Sequence, residues 1–109
     1  MGTSISIENL EQHDALLREY IDNRFFDYYD LLCERYNLYY SERTLPSGET
    51  EATEEIKDGV TLKAKNVSVM SADGNTIVET ITIKGDPDKV KTRTWTIDTV
   101  AGTVTAIFS

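Results

Sequence analysis

Glu79 and Arg93 are the two residues of this 109-residue chain whose types and phase come nearest to a chemical site. Alternation along 76–84 puts Glu79 on the face that carries Ile77, Ile81 and Ile83, and alternation along 89–98 puts Arg93 with Trp95 and Ile97. A carboxylate held between a sheet and an aromatic helix is expected either to have a raised pKa and serve as a general base, or to pair with Arg93. The simpler expectation is a solvated carboxylate beyond the reach of the helix.

The remaining chemistry-bearing residues read as structural. His13 is the only histidine, and no Ser, Cys or second His stands at a spacing that makes a triad or a metal site. Cys33, between Leu32 and the tyrosines at 29 and 36, behaves as a small core hydrophobe, and a lone cysteine excludes an internal disulfide framework. Asp27, Asp30 and Glu34 share a helical face, but three carboxylates on a straight helix do not surround an ion, so a solvated acidic face is expected and no metal. No cofactor motif is present. Asn66-Val67-Ser68 fits a glycosylation sequon, a triplet that also arises by chance.

The element expected to position these residues is a long helix over 7–43, a stretch without Gly or Pro. Ile7, Leu10, Leu17, Ile21, Phe25, Tyr28, Leu32, Tyr36 and Tyr39 follow one another by three, four or seven residues and form one stripe. Ser6 or Asn9 suits its N-cap, and Leu45-Pro46-Ser47-Gly48 its end. Leu16 and Tyr20 widen the stripe on one side, whereas Phe26, Tyr29, Cys33 and Tyr40 widen it on the other, a shift near Asp22-Asn23-Arg24 that predicts either a bend or two halves packing against different partners. Such a helix would run roughly 50 Å and overhang a sheet whose strands span about 27 Å.

Ahead of the helix, residues 3–7 alternate as a short strand would. Residues 44–59 read as an acidic loop. From Val60 the period becomes 2, predicting strands at 60–71, 76–84, 89–98 and around Val104, Ala106 and Phe108, with a bulge near Lys65-Asn66 and a tight turn at Ala72-Asp73-Gly74-Asn75. The fold class expected is α+β, one domain over 1–109, with a long N-terminal helix on a four-stranded antiparallel meander.

In element order this arrangement resembles the cystatin and NTF2-like group, where a curved sheet wraps a helix, and the headgroup of type IV pilins. The Gln-x-Val-x-Gly loop of cystatins and the hydrophobic N-terminal half of pilins are absent. The first resemblance implies a protein-binding or small-molecule-binding role, the second an assembly role.

Charge narrows the partners. The net charge is −8; residues 1–58 hold 14 acids and five bases, and residues 59–109 hold five acids and six bases. A polyanion would meet like charge, so nucleic acid is not an expected partner. No apolar run approaches a membrane span. A cytoplasmic location is expected, or a surface or exported one if a natural segment precedes Met1. The leading expectation is a non-enzymatic interaction or assembly module that self-associates through the aromatic helix, with Leu10, Leu16, Leu17, Tyr20, Phe26, Tyr29 and Tyr40 at the interface. The alternatives are an NTF2-like enzyme or ligand-binding protein with a pocket near Glu79, and an acidic inhibitor of a basic nucleic-acid-binding protein.

Overall fold

The computed structural model describes residues 13–85 and 87–109, the side chain of Asp14 excepted. The expected strand at 3–7, the caps Ser6 and Asn9, and the stripe residues Ile7 and Leu10 lie outside the described residues. Two short helices, α1 (Asp14–Asn23) and α2 (Phe25–Arg35), precede six strands: β1 (Asn37–Thr44), β2 (Thr50–Asp58), β3 (Thr61–Met70), β4 (Thr76–Ile83), β5 (Lys89–Asp98) and β6 (Thr103–Phe108). The strands form one antiparallel sheet in sequential order.

This overturns the expected long helix on a four-stranded meander. The helical stripe is real only as far as Arg35. In α2, Phe25, Tyr28, Tyr29 and Leu32 stand at i, i+3, i+4 and i+7 and are all buried. Arg24 separates the helices with φ −137° and ψ 51°. Its N–H still closes α1 on the Tyr20 carbonyl at 2.7 Å, and its carbonyl accepts the Tyr28 N–H at 2.9 Å, so the break is one residue wide. It sits where the apolar flanks change sides.

Beyond Tyr36, whose backbone is extended, the chain turns into β1. Tyr36 and Tyr39 continue the helical spacing only by coincidence. Leu38, Tyr40, Glu42 and Thr44 alternate in register with Ile56, Glu54, Ala52 and Thr50 of β2. Adjacent tyrosines favour a pleated strand once a partner is available. The supposed acidic loop supplies that partner. β2 hides its alternation behind glutamates of low strand propensity, and is held by pairing on both sides. Leu45-Pro46-Ser47-Gly48 is therefore a hairpin turn rather than a helix stop, closed by Gly48 N–H on the Leu45 carbonyl at 2.9 Å.

The bulge also moves. Lys65 and Asn66 pair regularly with Glu55 and Glu54, whereas the register shifts between Ile56, opposite Ala64, and Lys57, opposite Leu62, leaving Lys63 extra. Ala64, Asn66 and Ser68 consequently face the helices' side of the sheet, and Val67 and Val69 face the other.

The helices cover only part of their face. Ile21, Phe25, Tyr28, Tyr29 and Leu32 pack on Ile56, Ala64, Ile81 and Ile83 to make the core. Continuing the register along the same face reaches Met70, Ile77, Trp95, Ala106, Ile97 and Val104, over which the described residues place no helix. Met70 is 36% and Val104 62% exposed.

Candidate functional site

Glu79, Arg93, Trp95 and Asn66 meet where the core gives way to this further part of the face. β4 and β5 put Glu79 opposite Arg93 and Ile77 opposite Trp95, and β3 puts Ser68 opposite Glu79 with Asn66 one pleat away. Arg93 donates from Nε to Glu79 Oε2 at 2.5 Å and from Nη2 to Oε1 at 3.2 Å, a two-point grip on the carboxylate. Trp95 Nε1 donates to Oε2 at 2.7 Å and Asn66 Nδ2 to Oε1 at 3.0 Å. The Glu79 side chain retains 13% exposure and that of Arg93 20%.

Asn66 extends the network across the sheet. Its amide nitrogen also reaches Glu54 Oε1 at 3.2 Å, Tyr29 OH donates to the same oxygen at 3.4 Å, and Ser68 Oγ donates to Asn66 Oδ1 at 3.4 Å. Among the described residues no buried side-chain nitrogen or oxygen is left without a partner. Asn66 is 1% exposed, so the sequon asparagine presents no amide to a glycosylating enzyme.

The electrostatics oppose the general-base expectation. Burial pushes the Glu79 pKa up, but the donors from Arg93, Trp95 and Asn66 together outweigh it and hold the carboxyl below its ordinary value. The carboxylate is a structural acceptor with its oxygens occupied. Asp30 is raised, first by partial burial and then by Asp27, Glu34 and Glu79, with Arg93 opposing. Burial pushes the Cys33 thiol up to about 11 and the Tyr29 hydroxyl well above its ordinary value.

An aromatic ledge flanks the network. The Arg93 guanidinium lies 5.0 Å from the Phe26 ring centre and 5.2 Å from that of Trp95, and Phe26 meets Phe108 edge-on at 5.0 Å. Phe108 is 55% exposed on the last strand.

The expected interface residues do not form one surface. Leu10 lies outside the described residues. Tyr29 is buried and Tyr40 is 58% exposed on β1, where its hydroxyl donates to Glu42 at 2.7 Å. Leu16 is exposed, while Leu17 and Tyr20 lean on the core. Phe26 alone of the set reaches the ledge. His13 is exposed at the start of α1, and among the described residues no three His, Cys, Asp or Glu side chains converge as a metal site. No helix of the described residues is long and apolar enough to cross a membrane.

Asn66 and Glu54 were not legible as site residues. Asn66 shares the phase of Ala64, the one signal that it faces inward; Glu54 is concealed by the acidic run around it. Comparison with protein-family models, with curated proteins and with solved structures found no match to the chain.

Proposed function

We propose that the chain is a non-enzymatic protein–protein assembly module that associates with a second copy of itself through the β5–β6 end of its sheet. The observation that carries this reading is the set of exposed apolar side chains on β6, Val104, Ile107 and Phe108, at an edge of the sheet beyond which the described residues place no strand. Exposed apolar side chains along such an edge gain from a second strand. The long-helix interface is replaced by the sheet.

The fully occupied carboxylate of Glu79 argues for a scaffold role there rather than proton transfer. Residues 89–109 hold three bases and one acid, whereas residues 37–58 hold six acids and two bases, so a junction at β5–β6 avoids the stronger repulsion of two joined acidic ends, at the smaller cost of bringing two weakly basic ends together. Light scattering behind size exclusion tests the reading: a molar mass rising above that of the 12.3 kDa chain at micromolar concentrations is expected. A monomer up to millimolar concentration would refute it.

A further inference from the structure

We infer that two copies join along β6, edge to edge, about a two-fold axis through Ala106, so that two six-stranded sheets become one. This rests on the self-association just proposed and specifies its geometry.

The backbone sets the register. Thr92 and Ser109 exchange both bonds, each N–H reaching the other's carbonyl at 2.9 Å. In an antiparallel ladder such pairs alternate with non-bonded ones. The bonded pairs toward β5 are therefore Thr94 with Ile107, Thr96 with Thr105 and Asp98 with Thr103. Val104, Ala106 and Phe108 direct their N–H and carbonyl groups away from β5, to an edge that no strand of the described residues pairs with.

A two-fold axis normal to the sheet pairs residues of like face. Centred on Ala106, it sets Ala106 against its own copy and Val104 against Phe108 of the second copy, twice over. All three pairs then use the outward backbone groups, giving about six new ladder bonds. The side chains agree with this register. The residue at the axis is small, and the exposed Val104 lands on the exposed Phe108, which already leans on Phe26. On the opposite face Ile107, 63% exposed, meets Thr105.

Edges that must stay monomeric are usually guarded by charge, proline or a bulge. β6 has none: residues 103–109 contain no ionisable side chain and no proline, and the β5–β6 register is unbroken. The other edge, β1, carries Glu42 and Arg43, the latter bonded to Glu51 at 3.1 Å. The second copy thus fits the β6 edge better than a charged peptide does.

Sedimentation equilibrium on the full chain and three variants tests the inference. Ala106→Pro removes an outward N–H without touching the β5 ladder, and Val104→Lys puts a charge opposite Phe108. Each is expected to weaken dimerisation at least tenfold (about 1.4 kcal/mol) with the circular dichroism of the parent. Ala106→Cys on a Cys33→Ser background is expected to oxidise to a disulfide-linked dimer, since bonded pairs stand about 5.5 Å apart at Cα, within disulfide range. Should Ala106→Pro not fold, Val104→Lys and the cross-link decide. A dimer unaffected by Val104→Lys and not cross-linked through position 106 overturns the β6 geometry while leaving self-association in place. A mass that grows past the dimer overturns the two-fold closure in favour of β6 on the acidic β1 edge of the next copy. A parent that is monomeric throughout overturns both.

Discussion

Asn66 donates to Glu79 over 3.0 Å while its own side chain is almost wholly enclosed, and the same nitrogen reaches Glu54 at 3.2 Å. One neutral amide thus stands between two carboxylates on neighbouring strands. The arrangement requires an uncharged donor at this position. A third carboxylate would leave the pair facing like charge, and an apolar residue would take one donor from each, leaving Glu79 Oε1 to Arg93 and Glu54 Oε1 to Tyr29.

Asn66→Ala is therefore expected to destabilise the fold by about 1–3 kcal/mol, the range for losing hydrogen bonds to charged acceptors. Asn66→Asp should be worse at pH 7 and recover part of the loss in acid, as the added carboxyl protonates. Urea titrations at pH 7 and pH 4 check both. Equal stability of Asn66→Asp and the parent at pH 7 would refute the account.

Glu79 links stability to pH through its depressed pKa. Burial raises it, but hydrogen bonds from Arg93, Trp95 and Asn66 lower it by more, so the folded state binds this proton less tightly than the unfolded chain. Its contribution is present above the unfolded carboxylate value and is lost as pH falls through the lower folded value. The stability difference between the parent and Glu79→Gln should be largest near neutrality and shrink below about pH 4. Because Trp95 Nε1 bonds the same carboxylate at 2.7 Å, tryptophan fluorescence should titrate over that window in the parent and not in Glu79→Gln. A pH-independent difference between the two would refute the linkage.

Local pattern reported the sheet's second half and misreported its first. The strands from Thr76 to Phe108 alternate Thr and β-branched residues with few exceptions, and their turns carry glycine or Asp side chains that bond the next N–H groups, as Asp98 Oδ1 does to Val100 and Ala101 at 3.0 Å. β1 and β2 lack this clarity. Tyr36 and Tyr39 extend a helical period by chance, and Glu51, Glu54 and Glu55 weigh against a strand that only its two neighbours make favourable. Pairing across distant sequence positions decided both elements. The Glu79–Arg93 contact followed from alternation alone, since each lies in a regular strand. Asn66 did not, because the bulge was placed two residues too late and its phase was thereby lost.

Cys33 offers a probe of local opening. Its thiol is half-buried beside Tyr29 and pushed up to about 11 by burial, which leaves roughly one thiol in a thousand ionised at pH 8. The folded protein should react with a thiol reagent at least a hundredfold more slowly than the urea-unfolded chain, and the rate should follow the unfolding equilibrium as urea is added. Because the folded pKa is raised, this group favours folding below its unfolded value, and that contribution fades as pH climbs toward 11. Rapid labelling in native buffer, independent of urea, would contradict the packing of α2 on the sheet.

Gly48 couples two hairpin turns that are far apart in sequence. It adopts φ +92°, which side chains rarely occupy, and an added Cβ would come within 3.3 Å of the Ala72 Cβ in the β3–β4 turn. Gly74 has a similar φ of +77° but open space where its Cβ would point. The two glycines separate backbone strain from contact. Gly74→Ala should lose about 1 kcal/mol from the positive φ alone. Gly48→Ala should lose that and more, because the neighbouring turn must give by a few tenths of an ångström. Restoring space with Ala72→Gly should recover only the excess, so a double-mutant cycle is expected to show a coupling of roughly 0.5–1 kcal/mol between positions 48 and 72 and none between 74 and 72. Equal losses at the two glycines, with no coupling, would mean that the turns of β1–β2 and β3–β4 do not touch.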